Sequence, residues 1–249
     1  MNVPGPQIFW MSEWDRWFTL HFNVLLVQGY GVTMLVNAGP PEDLAPLNNH
    51  VQSVLGDRAI FERTDDERIE VHLARLGLTP RDITHVVVTP LTLYSSSGLP
   101  LFTDAEIYLS KRGWVAFHTT HAHPHDARWA TLSKATLSYL VFDAWDRVRL
   151  LEDEDEVIPG IRTWWAGAHH RASLAIEIET SAGVAVASDA FFYRENVLQD
   201  RPLGISENME QALACYARVR SVADHIVPLN DPQLERDYPA GVIAEWVPS

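Results

Sequence analysis

The sequence is poor in cysteine and contains no apolar run long enough to cross a membrane. Cys215 is the single cysteine among 249 residues, which excludes an internal disulfide and a thiolate metal cluster. Because Cys215 falls within a helical pattern, we predict a small core residue. No apolar stretch approaches the roughly 20 residues of a membrane span. The first residues also lack the basic start and apolar segment of a signal peptide, so we expect a cytoplasmic protein.

Positive charge is also scarce. The chain carries 19 Lys and Arg against 33 Asp and Glu, a formal net charge of −14. Such a chain is repelled by a phosphate backbone and by an anionic lipid surface. We therefore expect no nucleic-acid partner and no membrane partner. Internal repeats and low-complexity linkers are absent too, and a compact α/β chain of this length favours one domain over residues 1–249.

Hydrophobic patterning predicts strands that alternate with helices. Two apolar runs separated by Gly29-Tyr30-Gly31 predict a buried hairpin. Further strands are predicted at residues 84–89, 105–109, 147–151, 161–165, 173–180, 184–188 and 225–228. One helix is predicted after the capping box at residues 64–67, ending at Gly77. Another is predicted from near Ser206, with one buried face formed by Met209, Leu213, Tyr216 and Val219.

Three segments fall outside this alternation. Residues 118–146 are interpreted as an inserted, partly helical segment, and the acidic run at residues 152–156 as a solvated loop. The N-terminal aromatic residues are expected to pack in the core. An apolar lid or a contact between subunits of a homodimer is the alternative for this group, which comprises Phe9, Trp10, Trp14, Trp17 and Phe18. The strands form two groups, each followed by a helix, which fits a four-layer αββα sandwich, although layer rules allow other mixed α/β folds.

Several segments between residues 22 and 238 resemble, in the same order, those of the metallo-β-lactamase superfamily, and within it the acyl-homoserine lactonase-like branch. The matching segments are Val36-Asn37-Ala38-Gly39-Pro40, the stretch at residues 76–89, Gly98-Leu99-Pro100-Leu101-Phe102, Gly167-Ala168-His169, Ala187-Ser188-Asp189-Ala190 and the turn at residues 226–232. The resemblance implies the α/β class and the four-layer αββα metallo-β-lactamase sandwich.

The family's zinc-binding motif, H-x-H-x-D-H, has no counterpart in this chain. The resemblance aligns its ligand positions with Pro90, Thr92, Tyr94 and Ser95, and the closing histidine with Asn230. Only His169 and Asp189 match the ligand pattern. A catalytic zinc usually needs three protein ligands that carry imidazole, thiolate or carboxylate groups. We therefore predict no metal and no cofactor at this site.

The same resemblance predicts a polar pocket that is free of metal. Its walls would include Pro90, Thr92, Asn230, Asn37 in place of the turn aspartate, and Phe192 in place of a tyrosine. The first hypothesis is a pseudoenzyme, a scaffold or binding protein whose pocket holds a small ligand or nothing. This hypothesis explains each loss of a ligand without any new chemistry.

The second hypothesis is a metal-independent hydrolase of a small ester, lactone or thioester. Ser95 would be the nucleophile, His169 the base, Asp189 the orienting carboxylate, and Tyr94 an acid or oxyanion donor. The simpler interpretation of Ser95 and the serines that follow it is a turn in which they cap backbone groups.

The third hypothesis is a metal site elsewhere in the chain. His118, His121, His123, His125 and Asp126 superficially mimic the missing motif. They follow a predicted helix rather than a buried strand, so we favour this hypothesis least. Histidine-rich loops bind divalent metals weakly.

Overall fold

The structure of the protein is a computed structural model that describes residues 1–119 and 128–247. The strands in this part of the chain form one two-stranded sheet and two five-stranded sheets. None of its helices is both long and apolar enough to cross a lipid bilayer. Apart from His118, the histidine cluster considered above lies outside the described residues.

Short strands alternate with helices along the chain. The strands are β1 (Asn2–Pro4), β2 (Trp17–Thr19), β3 (Leu25–Gly29), β4 (Val32–Val36), β5 (His85–Val87), β6 (Glu106–Ser110), β7 (Val148–Leu151), β8 (Glu154–Ile158), β9 (Ile161–Trp165), β10 (Leu174–Thr180), β11 (Gly183–Ser188) and β12 (His225–Pro228). The helices are α1 (Gly5–Ile8), α2 (Ala45–Leu55), α3 (Ile69–Arg75), α4 (Leu93–Ser96), α5 (Lys111–Thr119), α6 (Arg128–Thr131), α7 (Lys134–Ser138), α8 (Arg194–Leu198), α9 (Met209–Val222) and α10 (Leu234–Asp237).

The two large sheets differ in the direction of their strands. The first sheet has the order β3-β4-β5-β6-β7, and the second has the order β12-β11-β10-β9-β8. In the first, β3 and β4 form an antiparallel hairpin, and the remaining neighbours are parallel. In the second, only β11 and β12 are parallel. Parallel neighbours require crossover connections, and helices such as α3, α5 and α9 lie in those connections.

Three hydrophobic clusters show that sheets and helices form four layers. Successive side chains of a strand point to opposite faces, so Ile176 of β10 contributes to the cluster between the sheets while Ala175 contributes to an outer cluster. One outer cluster contains Leu73 of α3 on the first sheet. The other contains Tyr216 of α9 on the second sheet. This arrangement is the αββα sandwich predicted from the sequence.

Most of the predicted elements are present with small shifts in their ends. The glycine-containing turn joins β3 to β4, and Gly31 adopts a φ of 79°, which favours glycine because it has no Cβ atom. The capping box at residues 64–67 forms and precedes α3. The described part of the segment at residues 118–146 is largely helical, as predicted. Cys215 is buried in the core, again as predicted.

Three predictions about local structure are wrong. The acidic run is not a loop throughout, because its second half starts β8, an edge strand whose Glu154 reaches solvent and pairs with Arg218. In α9, Tyr216 and Val219 are buried as predicted, but Leu213 is 39% exposed, and Ala212 and Cys215 complete the buried face. Among the N-terminal aromatic residues, Phe9 is buried but Trp10 and Trp14 are 51% and 68% exposed. Each error arises because a pattern of apolar or acidic residues does not determine which side chains of an element face solvent.

Candidate functional site at the strand ends

Four polar side chains follow strands of the two large sheets and line one small cavity. Asn37 follows β4, Thr89 follows β5, Asp189 follows β11, and Asn230 follows β12. All four are buried, and the cavity has a volume of about 10 Å³, which is room for one water molecule. Its remaining wall is formed by Phe22, Asn23, Val24, Tyr94 and Leu229.

The Asp189 carboxylate accepts hydrogen bonds from two hydroxyl groups. The Thr89 hydroxyl donates to Oδ1, and the Ser173 hydroxyl donates to Oδ2 over 2.5 Å. The Leu174 N–H in turn donates to the Thr89 oxygen over 2.8 Å, which fixes that hydroxyl in place. Burial raises the pKa of Asp189, and this effect outweighs the opposing influences of His169 and the two hydroxyl groups. Both carboxylate oxygens are therefore engaged by protein hydroxyl groups.

The His169 ring is held between a backbone carbonyl and a phenol. Its Nδ1 lies 2.7 Å from the Ile205 carbonyl oxygen, and its Nε2 lies 3.4 Å from the Tyr94 hydroxyl. The Phe192 ring packs edge-on against the imidazole at a centroid distance of 4.8 Å. Burial, followed by the field of Asp189, raises the pKa of Tyr94 far above its usual value of 10.0. Tyr94 is therefore a neutral phenol that can donate to His169.

The Ser95 hydroxyl lies within its own loop. Ser95 Oγ donates to the Pro90 carbonyl oxygen, lies 3.1 Å from the Thr92 carbonyl oxygen and 2.9 Å from the Thr92 hydroxyl. Thr92 and Ser95 form a capping box at the start of α4, and Ser95 is only 1% exposed. Within the described part of the chain, none of these hydrogen bonds joins Ser95 to His169 or Asp189. The structure thus brings Tyr94 to His169 but gives Ser95 a capping role.

Two of the three asparagines that line the cavity bind backbone groups through their side chains. Asn37 Oδ1 accepts from the Thr89 N–H over 2.8 Å, and Asn37 has a φ of 72°, a conformation that asparagine tolerates better than most residues. Asn230 Nδ2 donates to the His21 carbonyl oxygen over 3.0 Å. The His21 N–H also donates to the backbone carbonyl of Asn230. These bonds hold the segment before β3 against the turn after β12.

Phe22 and Tyr94 line the small cavity, and the Phe61 ring packs against both of them. The Phe22 centroid is 4.6 Å from that of Phe61 and 5.0 Å from that of Tyr94. A groove of about 1200 Å³ shares Phe22, Asn23, Val24 and Leu229 with the small cavity. Phe22 therefore belongs to the walls of both spaces.

Sequence reasoning missed the two hydroxyl groups that bind Asp189. Thr89 was predicted as the end of a strand and Ser173 as the start of another. Their common signal is a hydroxyl-bearing residue at the end of a buried apolar strand, where it must find a hydrogen-bond partner inside the protein. Phe22 was also missed, because a lone phenylalanine ahead of a strand is typical of ordinary core packing.

No family model matches the sequence. Among curated proteins, an N-acyl homoserine lactonase of Bacillus cereus is 24% identical over 192 residues, covering 76% of this chain and 71% of the relative. The N-acyl homoserine lactonase AiiA of Bacillus thuringiensis subsp. kurstaki is 24% identical over 199 residues, covering 79% and 74%. The relationship to these enzymes thus extends over most of both chains.

Solved structures of lactonases share the fold of this chain. An N-acyl homoserine lactone hydrolase with N-hexanoyl-L-homoserine at its catalytic metal center has a TM-score of 0.78 at 19% identity, covering 99% of this chain and 94% of that one. AidC, a dizinc quorum-quenching lactonase, has a TM-score of 0.66 at 15% identity, covering 100% and 91%. The chain has the metallo-β-lactamase fold, and its sequence relatives and structural neighbours are N-acyl homoserine lactonases.

The residues at this site do not fit a zinc pair. Of the side chains described above, only His169 and Asp189 carry groups that zinc favours, and both are bound to hydroxyl groups. In residues 1–119 and 128–247, no group of three or more His, Cys, Asp or Glu side chains is arranged to hold a metal ion. The donor set therefore differs from that of a zinc hydrolase.

Proposed function

We propose that the protein is a non-hydrolytic, small-molecule-binding relative of the lactonases that lacks a zinc centre at its strand ends. The donor set of the site is the observation that carries this proposal. Among its side chains only His169 and Asp189 carry groups that zinc favours, and each Asp189 oxygen already accepts a hydrogen bond, from Thr89 or from Ser173. Without a bound metal ion, water is not converted to hydroxide at neutral pH.

The contacts of His169 support the same proposal. Histidine ligands of zinc usually donate one ring N–H to a carbonyl or carboxylate and bind the metal through the other nitrogen. Nδ1 of His169 retains such a carbonyl partner, Ile205, but Nε2 faces the Tyr94 hydroxyl. The phenol thus occupies the position on the imidazole that a metal ion would need.

The larger groove is where we expect a ligand to bind. Pockets for small molecules typically have volumes of about 300–1,000 Å³, so the groove is large enough and the 10 Å³ cavity is not. Apolar residues dominate the groove wall, including Phe22, Leu26, Ile69, Leu73 and Trp246. We propose that a small, largely apolar molecule binds there, and N-acyl homoserine lactones are the first compounds to test because the relatives act on them.

The metal-independent hydrolase is the alternative proposal. It requires that Ser95 attack a substrate while His169 takes its proton. The capping bonds of Ser95 to Pro90 and Thr92 argue against that role, since the hydroxyl is already committed within a buried loop. A cytoplasmic location and a homodimer also belong to the proposal, and fractionation and sedimentation analysis test them.

One set of measurements distinguishes these functions. Untagged protein is dialysed against chelator, offered zinc, and then analysed for metal content and for hydrolysis of N-hexanoyl homoserine lactone, with AiiA as the active control. We expect less than about one zinc ion per ten chains, no turnover, and saturable lactone binding by calorimetry. Tightly held zinc with zinc-dependent turnover would overturn the proposal. Metal-free turnover that Ser95→Ala and His169→Ala both abolish, with the fold retained, would establish the alternative.

A further inference from the structure

One side of the large groove is formed by β3 and the residues that precede it. Every residue of the range 22–28 lines the groove, whose volume is about 1200 Å³. Successive side chains of a strand point to opposite faces of its sheet, so a groove that contacts each residue in turn must run along the edge of the strand. At roughly 3.3 Å per residue, this stretch is about 20 Å long. The groove therefore has the length of an extended chain.

The outer edge of β3 has backbone groups that bond no other strand. Among the described residues, β3 pairs with β4 alone. Gln28 lies opposite Thr33, whose N–H and carbonyl both bond Thr84 on the far side of β4. Opposed residues of an antiparallel pair alternate between bonded and unbonded pairs. Gln28 and Leu26 therefore direct their N–H and carbonyl groups away from β4, towards the groove.

Apolar residues form a wall on each side of this edge. Leu26 packs in the outer cluster that contains Ile69 and Leu73 of α3. Val27 belongs to the cluster between the sheets, which contains Trp246. Ile69, Leu73 and Trp246 all line the groove. A strand added beside β3 would thus place alternate side chains against α3 and against Trp246.

No charged side chain of β3 protects this edge. Its sequence is Leu-Leu-Val-Gln-Gly, whereas β8, at an edge of the second sheet, carries Glu154, Asp155 and Glu156. Proteins usually block sheet edges with charges, prolines or bulges, because unpaired N–H and C=O groups bind other strands. The edge of β3 is left open between two walls, which suits a single extended chain better than a flat sheet.

The groove carries an excess of negative charge. Among the described residues that line it, five are glutamates and two are arginines, so its net charge is −3 with His72 neutral. Arg68 already pairs with Glu42 and Glu70. A lysine or arginine side chain on a ligand would therefore be attracted to this groove, and an acidic one repelled.

We propose that the groove binds a short, extended oligopeptide with apolar and basic side chains, which pairs with the outer edge of β3 as a sixth strand of the first sheet. Its backbone exchanges hydrogen bonds with Leu26 and Gln28, as in other cases where a peptide extends a sheet. Its apolar side chains contact the two walls, and its basic side chains face the glutamates. The inference rests on the proposed function, which takes this groove as the ligand site, and it names the class of ligand.

The first experiment measures binding of acetyl-Lys-Val-Leu-Val-Lys-amide to the full-length protein by calorimetry. We expect one peptide per chain. An analogue methylated at each backbone nitrogen should bind at least about fivefold more weakly, because it cannot donate to β3. An analogue with glutamate in place of lysine should also bind more weakly, and this difference should shrink as salt is added. No binding, or equal affinity for the parent and the methylated peptide, overturns the inference.

Hydrogen exchange measured by NMR locates the bound peptide. At about tenfold above its Kd, the parent peptide should slow exchange of the Leu26 and Gln28 amides by about tenfold. The Leu25 and Val27 amides face β4 and are controls within the same strand, so their exchange should not change. Binding without protection of Leu26 and Gln28 would show that the peptide does not pair with β3.

Two substitutions at one position test the same hydrogen bond from the protein side. Gln28→Pro removes the outward N–H at an edge where proline is tolerated, whereas Gln28→Ala keeps it. Gln28→Ala should bind the peptide at least about fivefold more tightly than Gln28→Pro. If Gln28→Pro does not fold, the methylated peptide still tests this bond. Equal affinity of two folded variants would overturn the inference.

Two further outcomes separate this inference from the alternatives. A concentration-dependent dimer in sedimentation, abolished by Gln28→Pro and unaffected by the peptide, would show that a second copy occupies the edge and would overturn the inference. Lactone binding without peptide binding would also overturn it, and would leave the proposed function intact. Zinc-dependent turnover would overturn the proposed function instead, so the two failures are distinguishable.

Discussion

The Tyr94 hydroxyl lies 3.4 Å from Nε2 of His169, while Nδ1 of the same ring lies 2.7 Å from the Ile205 carbonyl oxygen. Because a carbonyl oxygen only accepts, this contact requires the ring proton on Nδ1, which leaves Nε2 to face the Tyr94 hydroxyl. Both ring nitrogens of His169 therefore already have a partner within the protein. This contact, and the hydroxyl groups on Asp189, lead to four predictions.

Tyr94→Phe should leave the protein folded and lower its free energy of unfolding by about 1 kcal/mol, because it removes one hydrogen bond and leaves Nε2 of His169 without a partner. Urea denaturation measures this change. Tyr193→Phe is a matched control, since its hydroxyl bonds the Thr19 carbonyl oxygen away from the cavity. If nitrogen NMR placed the His169 proton on Nε2 in the wild type, the proposed contact would be wrong.

Asp189→Asn should gain stability relative to the wild type as the pH rises above 4. Burial raises the pKa of Asp189 above its usual value of 3.8, so the folded protein binds this proton more tightly than the unfolded chain. The wild type therefore loses stability as the pH rises from the unfolded pKa towards the folded pKa. Asparagine does not titrate and has no such loss.

Urea midpoints between pH 4 and pH 7 test this prediction for the two proteins in parallel. Ser173→Ala serves as a control that removes one hydrogen bond to Asp189 but keeps the carboxyl group. A difference between wild type and Asp189→Asn that stays constant with pH would mean that the pKa of Asp189 is not raised.

Replacing the divergent positions together should create a zinc site. The combined variant carries Pro90→His, Thr92→His, Tyr94→Asp, Ser95→His and Asn230→His, with His169 and Asp189 unchanged. It would lose the capping box of α4 and so be less stable without metal, but zinc should raise its Tm and remain after dialysis. The same variant with Asp189→Ala is the control. Zinc content no higher than that of the wild type would show that these positions do not surround one centre.

Cys215 should resist thiol reagents in the folded protein. Burial raises the pKa of its thiol far above the usual value of 9.0, and the nearby charge of Asp189 adds to this effect. Since the thiolate is the reactive form, Ellman's reagent should react at a negligible rate in native buffer and with one thiol per chain in urea. Rapid reaction under native conditions would indicate that α9 opens readily from the second sheet.

The fold was predictable because strand and helix periodicities in the apolar residues were long enough to interpret. The hairpin of β3 and β4 has glycine at its turn, and α3 has a capping box before it. The edge strand β8 was missed because its acidic side chains face solvent, where strand and loop sequences look alike. The exposure of Trp10 could not be foreseen either, since composition alone does not say which aromatic residues reach the core.

The sequence predicted which residues form the candidate site better than it predicted the hydrogen bonds between them. Asn37, Asp189 and Asn230 follow strands and line one cavity, along with Tyr94, but the sequence did not indicate that Thr89 and Ser173 would bind the carboxylate. Hydrogen-bond partners depend on distances of a few tenths of an ångström between residues far apart in the chain. Ser95 illustrates the difficulty, because a serine three residues after a threonine can cap a short helix as readily as it can face a cavity.

The bond between Thr89 and Asp189 also joins the two large sheets, since Thr89 follows β5 of the first and Asp189 follows β11 of the second. A junction built from side chains is complete as soon as the chain has folded. On the proposed function, maturation would require no metal insertion step, and chelators should leave the protein intact. Its abundance in a zinc-starved cell would then be governed by synthesis and degradation of the chain, and not by competition with other proteins for a scarce nutrient.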